Sequence, residues 1–443
     1  MPTLPLRRDS VAIFPPSRWR LLAAFVALLT LLPLMVLFSS MFTTQADIWQ
    51  HLRQYVLPEL LLNTLWLVLG VAIGSCVLGV ALAWLTVMVD FPGRRFFSWA
   101  LLLPMALPAY VSAFVAVGLL DFTGPLQTSF REWFGSSAWM PPIRSRGGVI
   151  FVMTLAFYPY VYLLTRNAFL TQGKSALEAA QSLGLTRWQA FYQVALPMAR
   201  PWIAGGTLLV IMETCADFGT VAAFNYDTFT TAIYKTWYGL FSLPAASQLA
   251  SILVLIILAL LLLEQFSRGH MSFADGAKQS AKFQPLTLHG KRRWLAFGFC
   301  ASVWLIAFVI PVMQLVQWAL RHLPDLDSRY FGFLWHSLLL AASASLLVTG
   351  CALLLSYANR RHPDASMRIT TRIATLGYAL PGAVLAVGFF VPVAWLDNAL
   401  IAAIQNVSGI EANVFLQGTL LIMLAAYLVR FLAVGFNSVD AAM

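Results

Sequence analysis

Ten apolar runs, near 21–42, 58–88, 97–120, 149–170, 201–224, 247–264, 294–319, 334–357, 373–396 and 414–436, divide the chain. Each is long enough to cross the roughly 30 Å hydrocarbon layer of a bilayer as a helix. Inside that layer a backbone polar group finds no water, so a continuous apolar run closes its hydrogen bonds within itself, as a helix does. The expected fold is therefore an all-α integral membrane protein with about ten transmembrane helices. Composition removes the soluble alternative: 10% of the residues are charged, against about 25% in an ordinary globular domain. Cys76, Cys215, Cys300 and Cys351 all fall in apolar runs without metal or disulfide spacing, and read as small core residues.

A net charge of +10 suggests nucleic acid until the basic residues are placed. With the amino terminus inside, 21 of the 28 Lys and Arg fall in inside segments and 7 outside. That is the asymmetry that orients membrane proteins. Arg7, Arg8, Arg18 and Arg20 precede the first run, which has no small-residue cleavage site and reads as a span rather than a signal peptide. The six His are scattered and form no ligand cluster.

The chain repeats itself. Arg20 opens the first run as Arg293 opens the seventh, Asn63-Thr64-Leu65 matches His336-Ser337-Leu338, and Leu107-Pro108-Ala109 matches Leu380-Pro381-Gly382, all 273 residues apart. A constant offset implies two parallel repeats: 1–264 with six spans, a linker at 265–293, and 294–443 with four spans. Six spans in the first repeat imply six in the second, so a second coupling loop and two further spans are expected beyond Met443; the alternative is a degenerate second repeat.

Between the fourth and fifth runs lies one polar stretch, Ser175 to Pro201. Ser175 with Glu178, and Thr186 with Gln189, are tandem capping boxes, each starting a helix. Gly184 between them suits a C-terminal cap with positive φ, and Pro197 is expected to stop the second helix. The inside loop at 175–200 thus reads as short helix, tight turn, helix. A DNA-binding helix-turn-helix shares this outline, but Arg187 is the one basic residue between Ser175 and Ala199, too few for phosphate contacts.

Reading Glu178-Ala179-Ala180, Gly184, and Val194-Ala195-Leu196-Pro197, the stretch resembles the cytoplasmic EAA loop of permease subunits of binding-protein-dependent ABC importers. The segments Asp90 to Arg95, Tyr158 to Tyr162, Ala216 to Val221, Thr228 to Tyr234 and Ala245 to Ala250 resemble the fused two-half permeases of the ferric-iron family. The resemblance implies the type I ABC importer permease fold, in the inner (plasma) membrane, with Glu178, Ala179, Ala180, Gly184, Leu196 and Pro197 coupling transport to a separate ATPase. Two ATPase copies and a periplasmic substrate-binding protein are the implied partners. The chain itself is expected to be no enzyme and to hold no cofactor, since ATP and magnesium belong to the ATPase.

An iron(III) cargo is a hard cation that favours anionic oxygen. Glu213 and Asp217, spaced i, i+4 in the fifth run, are expected on one helix face. Acidic groups in an apolar span face a polar path or a hydrogen-bonded partner. They are candidates for the translocation pathway, with Tyr226, Asp227 and Tyr234 in the connection that follows; the alternative is a structural hydrogen-bonding role. The outside segment 121–148, with Arg131, Trp133, Trp139 and Arg144, has the aromatic and arginine content of a protein interface and is the candidate dock for the binding protein. Anchoring at the membrane surface is its alternative.

Two motifs are discounted. Asp217-Phe218-Gly219 spells a kinase magnesium motif without a catalytic loop or a glycine-rich strand. Gly173-Lys174-Ser175 ends like a phosphate-binding loop, but Ala168 stands at the position of the first glycine. Other cargoes for the same architecture are thiamine, a polyamine or a phosphonate. A proton-coupled secondary transporter with parallel repeats leaves the tandem capping boxes unexplained.

Overall fold

The computed structural model describes residues 16–43, 46–136, 140–173, 180, 182–268, 286–325, 327–408 and 413–443. Its principal helices run in chain order as α1 (Pro16–Ser40), α2 (Leu57–Met88), α3 (Arg94–Ala100), α4 (Ala109–Leu120) and α5 (Arg146–Ala168). There follow α6 (Leu196–Ala216), α7 (Gly219–Ala223), α8 (Phe229–Tyr238) and α9 (Leu243–Arg268). The series ends with α10 (Lys291–Trp304), α11 (Ile310–Arg321), α12 (Arg329–Arg361), α13 (Ala365–Thr375), α14 (Gly382–Ser408) and α15 (Leu420–Ala442). Ten helical stretches among the described residues are long and apolar enough to cross a membrane, in register with the ten runs of the sequence. The described strand structure is one two-residue parallel bridge, Val89–Asp90 with Leu286–Thr287.

The expected spans differ from the observed helices at particular places, each with a local cause. Runs 97–120 and 373–396 are broken: a 3₁₀ turn at Leu103–Ala106 precedes α4 and another at Leu376–Ala379 precedes α14. Pro108 and Pro381, which disfavour helical backbone in the residue before them, mark both breaks. The two turns, the ends of α2 and α12, and the starts of α4 and α14 are all 273 residues apart, so the offset in sequence is an offset in structure.

Pro197 does not stop its helix. The residues Phe191–Ala195 widen into a π turn, Leu196 N–H donates to Phe191 O, and α6 continues through Pro197. The same device precedes Pro58 at Leu52–Val56 and Pro311 at Leu305–Val309. A π turn carries one extra residue and an i→i+5 bond, which accommodates the donor that proline lacks. Run 201–224 is also interrupted, where α6 ends at Ala216 and Asp217 turns to extended backbone (ψ 131°).

Two compact units form. One comprises Gln45–Leu326 with Pro381–Ala383; the other comprises Met1–Thr44, Asp327–Leu380 and Val384–Met443. In the first, α5 is clasped between α2 and α6. A Cβ on Gly79 would lie 2.8 Å from Val161 Cβ, and one on Gly206 2.8 Å from Val161 Cα, so glycine permits the backbone approach that drives helix packing in lipid. Helices α10 and α11 join this unit through Phe297 on Phe97 (5.5 Å between centroids) and Trp318 on Phe114 (5.6 Å).

The other unit packs α12 against α15, and α1 against α12 and α13, burying Trp19, Ala23, Ala352, Leu355, Leu428 and Leu432. Arg20 pairs with Asp364 at 2.6 Å, and Thr30 Oγ1 donates to Ala374 O at 3.2 Å. The packing units therefore cut the chain differently from the sequence repeats. Each repeat's first span, α1 or α10–α11, is built into the unit formed by the rest of the other repeat.

Candidate functional site

The turn after α5 is built as its sequence spacing requires. Leu185 N–H donates to Ala180 O at 3.1 Å across Gly184, whose φ is +90°. This six-to-one bond around a left-handed residue is a Schellman cap. The next helix opens on a completed capping box: Thr186 N–H donates to Gln189 Oε1 (2.9 Å), and Gln189 N–H to Thr186 Oγ1 (3.4 Å). Ala180 is buried and Gly184 exposed. A Cβ at Gly184 would meet nothing within 4 Å, so backbone conformation alone selects glycine there. Leu196 and Pro197 start α6, and Phe191 packs on Trp84 at 4.1 Å, tying the loop to the end of α2. Glu178 and Ala179 lie outside the described residues.

Glu213 and Asp217 do not share a continuous helix face, because α6 ends between them. Glu213 is half-buried on α6. Asp217 closes the first turn of α7: Oδ1 accepts from Thr220 N (2.8 Å) and Val221 N (3.3 Å), and Oδ2 from Thr220 Oγ1 (3.0 Å). Its own carbonyl accepts from Thr230 Oγ1 at 2.7 Å, fixing the start of α8. Both carboxylate oxygens are thus occupied by protein donors.

Tyr226 gathers two residues that the sequence did not connect with it. Its hydroxyl donates to Asn63 O (3.1 Å), and Arg146 Nη2 donates to Asn63 Oδ1 (3.4 Å). Burial pushes the Tyr226 phenol up from its ordinary pKa, against the pull of Arg146, so it serves as a neutral donor rather than a phenolate. No local signal exposes this cluster, since its members are 83 and 163 residues apart. Asp227 pairs with Lys235 at 2.5 Å. Tyr234 is half exposed, between Phe218 (5.2 Å) and Tyr238 (4.8 Å). Among the described residues no three His, Cys, Asp or Glu side chains come together as a metal-ligand set.

In the 121–148 segment, Arg144 Nε pairs with Asp121 (2.9 Å) and its Nη1 donates to Ala223 O (2.9 Å), pinning the segment to the end of α7. Arg131 lies 4.2 Å over the Phe122 ring, and Trp133 is 77% exposed. Trp139 is outside the described residues. The segment therefore has a fixed base and an exposed aromatic rim.

Residues 75–269, which contain the last part of α2, α3 to α9 and the Gly184 turn, match the family described as binding-protein-dependent transport system inner membrane component. The Fe(3+)-transport system permease protein FbpB 2 of Haemophilus influenzae is 30% identical over 74% of this chain and 62% of its own length. The putative ferric transport system permease protein FbpB 1 of the same organism is 25% identical over 92% of this chain and 66% of its own. The sulfate transport system permease protein CysT of Escherichia coli is 27% identical over 54% of this chain and 86% of its own. The chain thus spans less than two thirds of the length of either ferric relative. Its helices have the all-α type I permease fold of an integral membrane protein. Through residues 75–269, which include the capped turn at Gly184, the chain is similar to the inner-membrane components of binding-protein-dependent transport systems.

Proposed function

We propose that this chain is the membrane-spanning permease of an ATP-driven importer whose cargo is iron(III). The observation that carries the importer reading is the Schellman turn at Gly184 joined to the Thr186–Gln189 capping box. It offers a capped turn between the spans, with the helix that follows it keyed to α2 by the contact of Phe191 with Trp84. A separate ATPase docking there would move α2, α5 and α6 together, since Gly79 and Gly206 clasp α5 from both sides. In this reading the amino terminus and the Gly184 turn face the cytoplasm, two ATPase subunits engage the transporter, and a periplasmic binding protein delivers cargo to the rim around Trp133.

Iron is favoured by the ferric relatives, which align with most of the chain. Sulfate is the second reading, supported by the CysT relative. Asp217, Tyr226 and Asp227 are engaged by protein partners, so their contribution to iron transport is to hold the outer ends of α6 to α8 in place. Uptake of ⁵⁵Fe and of ³⁵S-sulfate, measured in cells producing the transporter with its ATPase and binding protein, tests the assignment. Iron uptake that stops when the ATPase is inactivated is expected. Sulfate uptake without iron uptake would overturn the iron reading, and uptake indifferent to the ATPase would overturn the importer reading.

A further inference from the structure

At the ends of α2 and α5 that carry the Gly184 turn, a cleft of about 740 Å³ is lined by Thr86, Asp90, Arg94, Arg95, Ser98 and Arg166. Its wall is rigid: the Tyr162 hydroxyl bridges Thr86 Oγ1 (3.1 Å) and Ser98 O (3.0 Å). Arg94 is spent on the protein, donating from Nε to Thr86 O (2.9 Å) and from Nη2 to Val87 O (3.1 Å), carbonyls that the end of α2 leaves open. Its Nη1 is 3.8 Å from Asp90 Oδ1, the one carboxylate lining the cleft.

Arg95 is exposed at the rim, and Arg166 Nε is buried with no hydrogen-bond partner. Three guanidinium groups thus face one carboxylate. Burial draws Arg94 below its ordinary pKa; Asp90 opposes this, and the charges of Arg166 and Arg95 add to it. A buried N–H donor without an acceptor is costly, and an anion in the cleft would relieve both the missing bond and the repulsion.

The position selects among anions. Helix α3, which carries Arg95, begins six residues after the end of α2 and exposes Trp99 and Phe96 beside the arginines. Exposed aromatics at the end of a span mark the headgroup level of a bilayer. Guanidinium forks match phosphate oxygens in pairs, and the cleft exceeds the size of a single phosphate. We propose that this cleft is a phosphate-binding site, filled by the headgroup of an anionic phospholipid or by free phosphate, with Arg166 and Arg95 as the ligating residues. The site is independent of the cargo.

The full chain, purified in detergent, is incubated with ³²P-labelled phosphatidylglycerol in micelles and, separately, with ³²P-orthophosphate. Saturable binding of a phosphate-bearing probe is expected, weakened by about tenfold in Arg166→Gln and in Arg95→Gln. Arg95 is exposed, so the second variant keeps the fold if the first does not. Arg53→Gln, in an exposed turn before α2, leaves binding unchanged. Phosphatidylglycerol binding that millimolar orthophosphate does not displace identifies the lipid; displacement, or binding of orthophosphate alone, identifies the free ion. Binding of neither probe, or equal binding by wild type and both arginine variants, overturns the site.

Discussion

Gly184 and Asp217 are each decided by a few hydrogen bonds, and their substitutions separate conformation from chemistry. At φ +90° a β-branched side chain is strained although the space around it is empty. Gly184→Val should therefore insert normally yet lose transport-coupled ATP hydrolysis. Gly184→Asn should retain more of it, because Asn tolerates the left-handed region. Equal loss in both, measured as ATPase activity in reconstituted vesicles, would mean that bulk rather than backbone matters.

Asp217→Ala strands the amides of Thr220 and Val221 and should cost about 0.5–2 kcal/mol, as loss of a cap does. Asp217→Asn keeps an acceptor oxygen and should cost less. Uptake that follows the unfolding temperature, with Asn above Ala, marks a structural carboxylate, whereas equal abolition of uptake marks a charge needed by the cargo. The Thr186–Gln189 box was legible because its parts lie within one turn. The Asn63–Tyr226–Arg146 cluster was not, because nothing local ties residues that only the packing of several helices brings together.

Among the helices, apolar length located the ten spans and the 273-residue offset paired the two repeats, since these follow from what the bilayer and a repeated backbone require. Their interruptions were harder to read. A proline announces a missing donor but not the remedy: at Pro58, Pro197 and Pro311 a preceding π turn keeps the helix running, while at Pro108 and Pro381 a 3₁₀ turn breaks it. The run of small and apolar residues around Asp217 likewise concealed a break that only the carboxylate's bonds to Thr220 and Val221 make plain.

The clasp on α5 gives a prediction at this scale. A methyl group at Gly79 or Gly206 would meet Val161 and neighbouring backbone at 2.8–3.3 Å, so Gly79→Ala and Gly206→Ala should each cost about 1–3 kcal/mol through overpacking. Gly298, with open space around its Cα, should accept alanine without loss. Thermal unfolding of the purified variants in detergent measures the difference, and equal midpoints for all three would show that α5 is not held as tightly as the glycine contacts require.

For the whole molecule, the exchange of first spans makes the two units mutually dependent on one chain. Severing the chain between residues 269 and 285 leaves two fragments, neither of which contains a complete packing unit. Coexpressed, they should copurify through the α1 and α10–α11 contacts. Removing residues 1–44 from the first fragment should abolish or weaken that association by uncovering Ala352, Leu355 and Leu432. Separate elution of the two fragments with α1 present would contradict the exchange.

The exchange also fixes an order of events during biosynthesis. The unit formed by Gln45–Leu326 receives nearly all of its parts before α12 is made, whereas α1 is made ahead of every other described helix and its partners α12 and α13 follow only after that unit's helices. At about 5–20 residues per second, the roughly 300 residues between them keep α1 waiting in the membrane for some 15–60 s. It is the most apolar of the ten candidate spans, the property a helix needs to stand alone in lipid until its neighbours arrive.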